Sequence, residues 1–501
     1  MTFVSKIISN LKANPDRICI VSGLDDSKRE YSSGEIYNQV IELGSYIRSL
    51  ITRKDATIGI VMQNSADWVI ADLACLLYGI TVLPLPLGFS RYQAEFLANQ
   101  CDAFLIDERG RQVLTEKWQQ SITSNVIIVP EITSQQKNTH IAIQPPPTIS
   151  PDWICKIIHT SGTTSRPKGV RQSLGGIDTV LDSLLQRVPS KHHKTYLSVV
   201  PLSLLIEQVT AIYLPLLSEG TIHFLEPELP LIGERNCKLE DIVHRLKYVG
   251  ATAVTVPPIM LDVFLSTATK NEELKKYLQG NIVITVGGAP VSVEKIKALR
   301  KLNIYVYEGY GLSENGSVVS VGTADVNRIG SVGKPLPHVT VRINQDNIIE
   351  IKSSSLFFGY SEIDPSACSI SPDGWLNTGD IGYINDEGYL YVTGRVKNVL
   401  CLPNGRNVSP EQIEISFKDQ LGVEQAVLFL SHNHRLTAFL VINSLFNKDA
   451  IQKWAEEAFS EVERPDELWV AASNSDEWLS IMDKPIVQKR KSLAEILQSR
   501  S

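Results

Sequence analysis

The sequence predicts an α/β protein with a large N-terminal domain of doubly wound α/β subdomains, a β-rich subdomain and a small, mobile α+β C-terminal domain. Three changes of pattern along the chain support this prediction. Up to about residue 300, helical and strand-like segments alternate, as they do in parallel sheets covered by helices on both faces. From Gly330 the chain changes to short strands and turns, and a last boundary falls near residues 394–397.

The alternating part contains two clear strand–helix–strand units. In the first, residues 35–50 and 66–78 have helical periodicity, whereas 56–62 and 81–84 are short apolar runs typical of buried strands. The second unit has a strand at 251–256, a helix from about Pro258 and a strand at 281–286. We therefore expect parallel, doubly wound structure in this part of the chain.

The later elements set the domain boundaries. Four short strands and a final basic helix are expected, at 339–343, 348–351, 425–430, 436–442 and from about Gln488. The N-terminal domain is then residues 1–394, with the β-rich subdomain at about 330–394. The C-terminal domain is residues 395–501.

Composition indicates an ordinary globular protein. At 501 residues the chain is too long for one core, and 43% hydrophobic with 21% charged residues is typical of soluble domains. The net charge of −7 argues against nucleic acid as a partner. The seven cysteines include no C-x-x-C pair, which favours reduced thiols over disulfides or zinc. We therefore expect a cytoplasmic protein.

No membrane-spanning segment is expected. The N-terminal residues lack the long apolar run of a signal peptide. The most apolar stretch, residues 68–87, contains Asp72, Gly79, Pro84 and Pro86. We interpret it as a core helix followed by a strand.

Residues 160–169 form the most informative segment. Their sequence is T-S-G-T-T-S-R-P-K-G, and an apolar run at 153–158 precedes them. Small residues let backbone N–H groups approach a polyphosphate, hydroxyl groups donate further hydrogen bonds, and a lysine supplies a mobile charge. The segment is neither a Walker A motif nor G-x-G-x-x-G, and an ordinary polar turn is the alternative. The residues predicted to bind phosphate are Thr160, Ser161, Gly162, Thr163, Thr164 and Lys168.

Two further segments follow predicted strands and suit a nucleotide. At 286–290, V-G-G-A-P permits a flat base to lie against Gly287, Gly288 and Ala289, although a tight turn explains the glycines equally well. At 307–314, Y-E-G-Y-G-L-S-E offers an aromatic ring for a purine, a hydroxyl for a phosphate and a carboxylate for Mg²⁺, unless it is a solvated turn. The candidates in this second segment are Glu308, Gly309, Tyr310, Gly311, Ser313 and Glu314.

Two charged positions in the β-rich part complete the set. The stretch G-W-L-N-T-G-D-I-G at 374–382 places Asp380 in a tight glycine-rich loop, where it is suited to accept two hydrogen bonds from a ribose diol. A buried structural aspartate is the alternative. At 388–397, G-Y-L-Y-V-T-G-R-V-K offers Arg395 and Lys397, or forms a plain hairpin with surface charges.

In this order, the segments resemble the motifs of the AMP-forming, adenylate-forming superfamily of acyl-CoA synthetases, peptide-synthetase adenylation domains and beetle luciferases. Residues 160–169 are similar to T-S-G-T-T-G-x-P-K-G, with Ser165 in place of a glycine. Residues 310–314 are similar to Y-G-x-[ST]-E, and 375–380 to [F/W]-x-x-T-G-D. The resemblance covers nearly the whole chain, and it is closest in motif texture to fatty acyl-CoA synthetases.

The resemblance implies an enzyme that activates a carboxylic acid with ATP and Mg²⁺. The acid and ATP give an acyl-AMP and pyrophosphate, and the acyl group then passes to the thiol of CoA or of phosphopantetheine on a carrier protein. Lys168 and Mg²⁺ would neutralise phosphate charge. The implied contacts are adenine for Tyr310, the α-phosphate for Ser313, magnesium for Glu314, ribose for Asp380, and ribose or phosphate for Arg395.

The resemblance also implies a hinge and a second catalytic lysine. The C-terminal domain would swivel about Lys397, and residues 402–411 would line the channel of the thiol acceptor. A lysine near the C-terminus is expected to neutralise the carboxylate and the α-phosphate. Lys484 is the first choice and Lys489 the competitor, because the glycine that the family has beside this lysine is missing here.

Residues 201–208 bear on the identity of the acid. They are similar to P-L-S-H-x-x-E-R of long-chain acyl-CoA synthetases, with Leu204 for the histidine and Gln208 for the arginine. They offer no acid for the ammonium group of an amino acid unless Glu207 serves. We expect a fatty or other apolar acid, with an aryl acid as an alternative. Loading of a carrier protein, luciferase-like oxygenation and a non-catalytic nucleotide-binding relative stay open.

Overall fold

The computed structural model describes residues 1–23, 27–118, 126–129, 143–160, 168–234, 236–280, 282–361, 370–401, 407–431, 433, 435–459 and 463–500. The helices in these ranges are α1 (Phe3–Ala13), α2 (Ser33–Leu50), α3 (Ala66–Leu77), α4 (Arg91–Ala98), α5 (Glu108–Gln112), α6 (Leu174–Arg187), α7 (Leu205–Glu207), α8 (Leu214–Leu217), α9 (Leu239–Val249), α10 (Met260–Lys270), α11 (Glu272–Gly280), α12 (Val293–Lys301), α13 (Pro410–Lys418), α14 (Lys448–Ala458), α15 (Asp476–Leu479) and α16 (Ile486–Arg500).

The strands are numbered along the chain. Those before residue 200 are β1 (Ile18–Ser22), β2 (Arg29–Ser32), β3 (Thr57–Val61), β4 (Thr81–Pro84), β5 (Ala103–Ile106), β6 (Val126–Ile128), β7 (Ile154–Thr160), β8 (Lys168–Ser173) and β9 (Thr195–Ser198). The next are β10 (Thr221–Phe224), β11 (Ala253–Val256), β12 (Val283–Val286), β13 (Val306–Tyr310), β14 (Ser320–Val321), β15 (Lys334–Pro335), β16 (Val339–Ile343) and β17 (Ile348–Ser353). The last are β18 (Leu376–Ile384), β19 (Leu390–Arg395), β20 (Leu400–Cys401), β21 (Asn407–Val408), β22 (Val423–Leu430), β23 (Leu436–Ile442) and β24 (Glu467–Ala472).

A six-stranded sheet carries the first predicted strand–helix–strand unit. Its order is β6-β5-β3-β4-β7-β8, and the pairs are parallel except for the hairpin-like pair β7–β8. Val82 on β4 belongs to the core that also contains α2 and α3, whereas the next residue, Leu83, packs in a separate core with residues of α4. Strands buried on both faces are typical of doubly wound sheets, so this prediction is confirmed.

A nine-stranded sheet positions the candidate site. Its order is β15-β14-β13-β12-β11-β9-β10-β1-β2, and the run from β13 to β1 is parallel. Because parallel strands end at one edge of a sheet, the segments that follow β9, β11, β12 and β13 leave from the same edge. These are the segments at 201–208, 257–259, 287–290 and 311–314.

The remaining sheets are small. Strands β16 to β19 form an antiparallel sheet, which confirms the predicted β-rich part. Near the C-terminus, β22 pairs antiparallel with β23 and β24 pairs parallel with β23. Helices α13 and α16 pack on β22. The predicted strand at 436–442 matches β23, and the predicted basic helix is α16.

The first core contains a buried ion pair. The ammonium of Lys156, on β7, donates to Oδ1 of Asp72, on α3, and both side chains are fully buried. The hydroxyl of Tyr213 donates to Oδ2 of Asp72 at 2.6 Å. The Lys156 ammonium also lies 5.7 Å from the ring centroids of Trp68 and Tyr213. Every charge in this cluster therefore has a partner, which burial requires.

The described ranges show five of the cysteines and the most apolar stretch of the chain. Five cysteines there are free thiols: Cys19, Cys75, Cys101, Cys155 and Cys237. Residues 68–87, the most apolar stretch, form most of α3 and all of β4, as expected. No helix that the structure describes combines the length and the hydropathy that crossing a bilayer requires.

Candidate active site

The predicted phosphate loop joins two paired strand ends. Thr160 is the last residue of β7, Lys168 is the first of β8, and the two are register partners. Thr160 therefore lies in a strand and not in the loop itself. Ser161, Gly162, Thr163, Thr164 and Ser165 lie outside the described residues, so their predicted phosphate contacts stay predictions.

Residues 357–361 pair with β8 and extend its edge. The N–H of Phe358 donates to the carbonyl of Arg171 at 2.9 Å, and that of Arg171 donates to Gly359 at 3.1 Å. The N–H of Ser361 donates to the carbonyl of Gly169 at 2.8 Å. We call residues 357–361 the brace segment, because it holds the strand that carries Lys168.

Tyr360 in the brace segment contacts two predicted site residues. The Lys168 ammonium lies 5.4 Å from the centroid of its ring, within the range of a cation–π interaction. Its hydroxyl donates to Oε1 of Glu314 at 2.8 Å. Phe357 packs edge-on against the same ring, with centroids 4.8 Å apart and an interplanar angle of 65°. Lys168 and Glu314 are thus brought together on one aromatic side chain.

Glu314 lies in a short 3-10 turn, Ser313–Asn315, just after β13. The turn is fastened at two carbonyl groups. The N–H of Phe357 donates to the carbonyl of Glu314 at 2.8 Å, and Nε2 of Gln172, on β8, donates to that of Ser313 at 2.5 Å. The carbonyls and the carboxylate of this turn are therefore tied to β8 and the brace segment.

Asp380 connects Tyr310 and Arg395. The Tyr310 hydroxyl donates to Oδ2 of Asp380, and Nε of Arg395 donates to Oδ1, both at 2.6 Å. The prediction of a tight loop around Asp380 is wrong, because Asp380 lies within β18 and pairs with Arg395 on β19. The glycines of this stretch are typical of a loop in sequence, but they lie in or beside a strand. Only the pairing of β18 with β19 shows that Asp380 belongs to the strand. Each carboxylate oxygen keeps a second acceptor position for a diol.

Burial and the neighbouring Asp380 charge raise the pKa of Tyr310 well above its ordinary value. The phenol is therefore neutral at physiological pH and acts as a hydrogen-bond donor. A neutral ring beside a carboxylate suits stacking on a purine, while the carboxylate binds polar groups. The predicted roles of Tyr310 at adenine and Asp380 at ribose stay predictions.

The glycines after β12 lie against the end of β13. A side-chain carbon built on Gly287 would lie 2.7 Å from the carbonyl oxygen of Gly309, so only glycine fits there. Gly288 has φ +80° and nothing within 4 Å of such a carbon. Gly288 and Ala289 are exposed at the edge next to Tyr310. An open cradle beside an aromatic ring fits a flat base. Gly311, next along, is closed off by the carbonyl of Ser317.

Glu308 has a structural contact. It is buried, and its Oε1 accepts the N–H of Gly330 at 3.0 Å. Burial raises its pKa to about 7. Glu308 thus links β13 to the start of the β-rich part, and its predicted contact with the nucleotide stays a prediction.

The two candidate lysines near the C-terminus differ in environment. Lys484 is exposed before α16, and its ammonium donates to Oγ of Ser492 at 2.9 Å. Lys489, on α16, is half-buried and lies 5.1 Å from the centroid of the Trp478 ring. Burial lowers the pKa of Lys489. The hydrogen bonds described for Lys484 are with residues of the C-terminal part, and none joins it to Lys168, Glu314 or Tyr310.

The predicted hinge residue, Lys397, lies in a 3-10 turn, Val396–Asn398, that directly follows β19. The turn is fixed on its far side, because Nδ2 of Asn398 donates to Oε1 of Glu411 at 2.6 Å. Nη1 of Arg490 donates to the Asn398 carbonyl at 3.3 Å. Residues 402–406, the start of the predicted thiol-channel loop, lie outside the described residues.

Sequence reasoning missed Tyr360, Gln172 and His159. Tyr360 follows Gly359, and this repeats the glycine–aromatic pair of Gly309 and Tyr310, which is a weak signal. His159 immediately precedes Thr160; it is buried, and its ring nitrogens have no partner among the described residues. Burial lowers its pKa to about 4. Nothing in the sequence distinguishes it from an ordinary core residue.

The residues present fit magnesium bound mainly through a substrate. Within the described ranges, no three His, Cys, Asp or Glu side chains come together as a metal cluster. Glu314 offers a single carboxylate, which Tyr360 links to Lys168, the residue at which the predicted phosphate loop ends. Mg²⁺ usually keeps several waters and binds one or two carboxylates together with substrate phosphates. One acid near a phosphate site is sufficient for this mode.

Comparison with known proteins decides the family. Residues 9–350 match the family described as AMP-binding enzyme. This chain belongs to the AMP-binding enzyme family.

Relatives and solved structures agree with this assignment. A 2-succinylbenzoate–CoA ligase of Bacillus velezensis is 23% identical, with 92% of each chain covered. A long-chain-fatty-acid–CoA ligase of Xenopus laevis is 24% identical over 85% of this chain and 67% of its own.

The o-succinylbenzoate CoA synthetase of Bacillus subtilis, solved with its acyl-adenylate intermediate, superposes with a TM-score of 0.77 at 21% identity, covering 93% and 94% of the two chains. Its complex with ATP and a magnesium ion gives 0.75 at 20%, covering 93% and 95%. The predicted superfamily and fold class are confirmed. So is the predicted enzyme class, an AMP-forming acid–thiol ligase of the AMP-binding enzyme family.

Proposed function

We propose that this enzyme activates an apolar carboxylic acid, fatty or aryl, and transfers it to the thiol of CoA. The carboxylate attacks the α-phosphate of ATP, forming the acyl-AMP and releasing pyrophosphate; the thiol sulfur then attacks the acyl carbon, releasing AMP and a proton. The observation that carries the proposal is the convergence of Lys168 and Glu314 on Tyr360, next to the strand that carries Tyr310. Phosphate, metal and base contacts are thereby available where β8 of the six-stranded sheet meets the end of β13 of the nine-stranded sheet.

The nucleotide contacts follow from the order of the strands. We place adenine between the Gly287–Ala289 segment and Tyr310, and the ribose at Asp380 and Arg395. The phosphates then meet Ser313, Lys168 and the segment at 160–164. Glu308 contributes by holding β13 in place through Gly330.

Magnesium would be held by Glu314 and by the phosphates. A bound Mg²⁺ supplies positive charge that neutralises phosphate oxygens as pyrophosphate leaves. The chain's own contribution is to hold Glu314 by the Tyr360 hydroxyl and to place the Lys168 ammonium near the departing charge. Little covalent chemistry falls to the protein, so positioning and charge neutralisation carry the catalysis.

An amino-acid substrate is disfavoured by the position of Glu207. This side chain is fully buried and accepts from Oγ of Ser198 at 2.7 Å and from the N–H of Val199 at 3.0 Å. Burial raises its pKa to about 7. An inward-facing, internally bonded acid does not serve as the partner of a substrate ammonium group.

Exposed apolar residues at the same edge support an apolar acid instead. Leu204, in the segment after β9, is 44% exposed, and Ile259, after β11, is 56% exposed. The strand order β13-β12-β11-β9 puts both on the side of Gly287 away from Tyr310. An acid whose carboxylate reaches the α-phosphate would lie along this apolar surface. The names of the relatives include both aryl and long-chain fatty acids.

We also propose a division of the chain at residues 394/395, with the C-terminal domain turning about Lys397. Lys484 is then brought to the α-phosphate for the first step, and residues 402–411 approach for the second. The exposure of Lys484 supports this choice over the half-buried Lys489. The five free thiols of the described part support a reducing compartment, and we place the enzyme in the cytoplasm.

The deciding experiment is pyrophosphate release from ATP and Mg²⁺ with a panel of fatty, aryl and amino acids. We expect pyrophosphate release with apolar acids and none with amino acids. If none of the acids in the panel causes release, the proposed activity is contradicted. Thioester formation is then followed with CoA and with a phosphopantetheinylated carrier protein. Faster transfer to the carrier protein would replace CoA as the acceptor.

A further inference from the structure

We propose that Tyr360 is a positioning residue for acid activation, which sets the Glu314 carboxylate with its hydroxyl and the Lys168 ammonium with its ring. The proposal rests on the proposed function, because it assigns the two charges to magnesium and phosphate. Neither the phosphate loop nor the segment at 307–314 contains this residue. It comes from the brace segment, more than forty residues further along the chain than Glu314.

The backbone and the ring of Tyr360 are both held in place. Its backbone bridges to Val170 on β8, and hydrogen bonds on both sides of it fasten Phe358 and Ser361 to the same strand. Phe357 supports the ring edge-on. A ring fixed in this way holds its contacts at defined positions, which is the requirement for preorganised charge.

Tyr360 contacts the positive charge of Lys168 and the negative charge of Glu314. The Lys168 ammonium lies over the ring of Tyr360 and the Glu314 carboxylate accepts from its hydroxyl, and within the described residues the two charges form no ion pair with each other. A direct pair would neutralise both groups. The aromatic spacer instead leaves the ammonium for a phosphate and the carboxylate for a cation.

The Tyr360 hydroxyl contacts one of the two carboxylate oxygens of Glu314. The Tyr360 hydroxyl donates to Oε1 of Glu314, and the backbone of Phe357 fixes the carbonyl of the same residue. The hydrogen bond to Oε1 restrains the carboxylate and leaves Oε2 as the oxygen for a ligand. Without the hydroxyl, the carboxylate would lose one charge-assisted hydrogen bond and its fixed orientation.

The test compares Tyr360→Phe, Tyr360→Leu and a control, Tyr383→Phe. Tyr383 is exposed in the β-rich sheet and stacks on Tyr391 with centroids 4.7 Å apart. We assign it no part in binding nucleotide, magnesium or acid. We measure the Mg²⁺ concentration for half-maximal pyrophosphate release, the KM of the acid, kcat, and the rise in melting temperature that ATP produces with and without Mg²⁺. Melting without ligand shows whether each variant is folded.

We expect Tyr360→Phe to raise the Mg²⁺ requirement about tenfold, as loss of one hydrogen bond to a charged group implies. The KM of the acid and the stabilisation by ATP without Mg²⁺ should stay unchanged. Tyr360→Leu should lower kcat further, because Lys168 loses its support. A Tyr360→Phe enzyme with the wild-type Mg²⁺ requirement and the wild-type stabilisation by Mg²⁺–ATP would overturn the proposal.

The failure of this inference is distinguishable from that of the proposed function. If the wild-type protein releases no pyrophosphate with any acid but Tyr360→Phe still loses the Mg²⁺-dependent part of ATP stabilisation, the reaction is wrong and the positioning role stands. If the wild-type protein releases pyrophosphate with an acid but Tyr360→Phe keeps its Mg²⁺ requirement and its Mg²⁺-dependent stabilisation by ATP, only the positioning role is overturned. If Tyr360 had a purely structural role, Tyr360→Phe would lower the melting temperature equally without ligand, with ATP and with ATP plus Mg²⁺.

Discussion

Nε of Arg395 donates a 2.6 Å hydrogen bond to Oδ1 of Asp380, although the arginine side chain is 60% exposed and the aspartate side chain only 3% exposed. One member of the pair therefore faces solvent while the other belongs to the interior. Such a pair is suited to bind a polar ligand, because the exposed arginine can contact the ligand while the buried aspartate fixes the orientation of the guanidinium group.

Replacing Arg395 by alanine should affect both stability and binding. Among the described residues, the Asp380 carboxylate would keep only the Tyr310 hydroxyl as a partner, and we expect a loss of about 1–3 kcal/mol in unfolding free energy. AMP binding should weaken more than tenfold. Urea unfolding and calorimetric titration with AMP measure the two effects.

Arg342→Ala is the matched control for this change. Arg342 is an exposed arginine of the same sheet and pairs with Glu350 on the neighbouring strand at 2.7 Å. Surface pairs contribute about 0–1 kcal/mol, so the control should lose less stability and bind AMP normally. Equal effects in the two variants would contradict a specific role for Arg395.

Lys484→Ala should abolish acid-dependent pyrophosphate release while sparing thioester formation from supplied acyl-AMP. The expected loss in the first step is at least about a hundredfold, as for other groups that neutralise developing charge. Lys489→Ala is the comparison, since Lys489 lies in the first turn of α16, half-buried against Trp478. A harmless Lys484→Ala together with an inactive Lys489→Ala would reverse the assignment.

Replacing His159 by phenylalanine should reduce the acid sensitivity of folding. The folded protein holds the pKa of His159 at about 4, below the ordinary 6.5, so between these values the unfolded chain binds a proton that the native state does not. Stability is therefore lost as pH falls from about 6.5 towards 4. Between pH 7.5 and 5, the variant should lose about 2 kcal/mol less unfolding free energy than the wild type.

Denaturant unfolding at the two pH values measures this difference. His244→Gln, at an exposed position of α9, provides the control and should keep the wild-type pH dependence. An unchanged pH dependence in His159→Phe would mean that the ring finds a partner in the folded protein after all.

Gly287→Ala should weaken nucleotide binding and destabilise the sheet edge. The added carbon meets the backbone oxygen of Gly309 at 2.7 Å, and a backbone neighbour does not move aside cheaply. We expect a cost of about 1–3 kcal/mol, typical of overpacking. Gly280→Ala, where the added carbon has nothing within 4 Å, should be neutral. Thermal melting with and without ATP measures both variants, and similar melting curves would contradict the close approach.

The sequence predicted local elements well and long-range contacts poorly. The strand at 81–84 and the one at 436–442 have the predicted bounds, because short apolar runs between turn residues are local signals. Asp380 was expected in a loop since its glycines imitate one, and only its pairing with β19 makes it part of a strand.

Roles that depend on distant partners were beyond prediction for the same reason. Tyr360 acquires its contacts by lying along β8, about 190 residues earlier in the chain. Glu207 was a possible substrate ligand in the sequence, but its partners Ser198 and Val199 turn it inward. Periodicity reports which residues are buried, but not which atoms they meet.

The buried pair of Lys156 and Asp72 has a consequence for synthesis on the ribosome. Asp72 leaves the exit tunnel 84 residues before Lys156, and Tyr213, which also binds it, follows 141 residues after Asp72. Until both have emerged, closing the core around α3 would bury an uncompensated carboxylate. The core around α3 can therefore pair all of its buried polar groups only after Tyr213 has emerged, so we expect it to close late in synthesis.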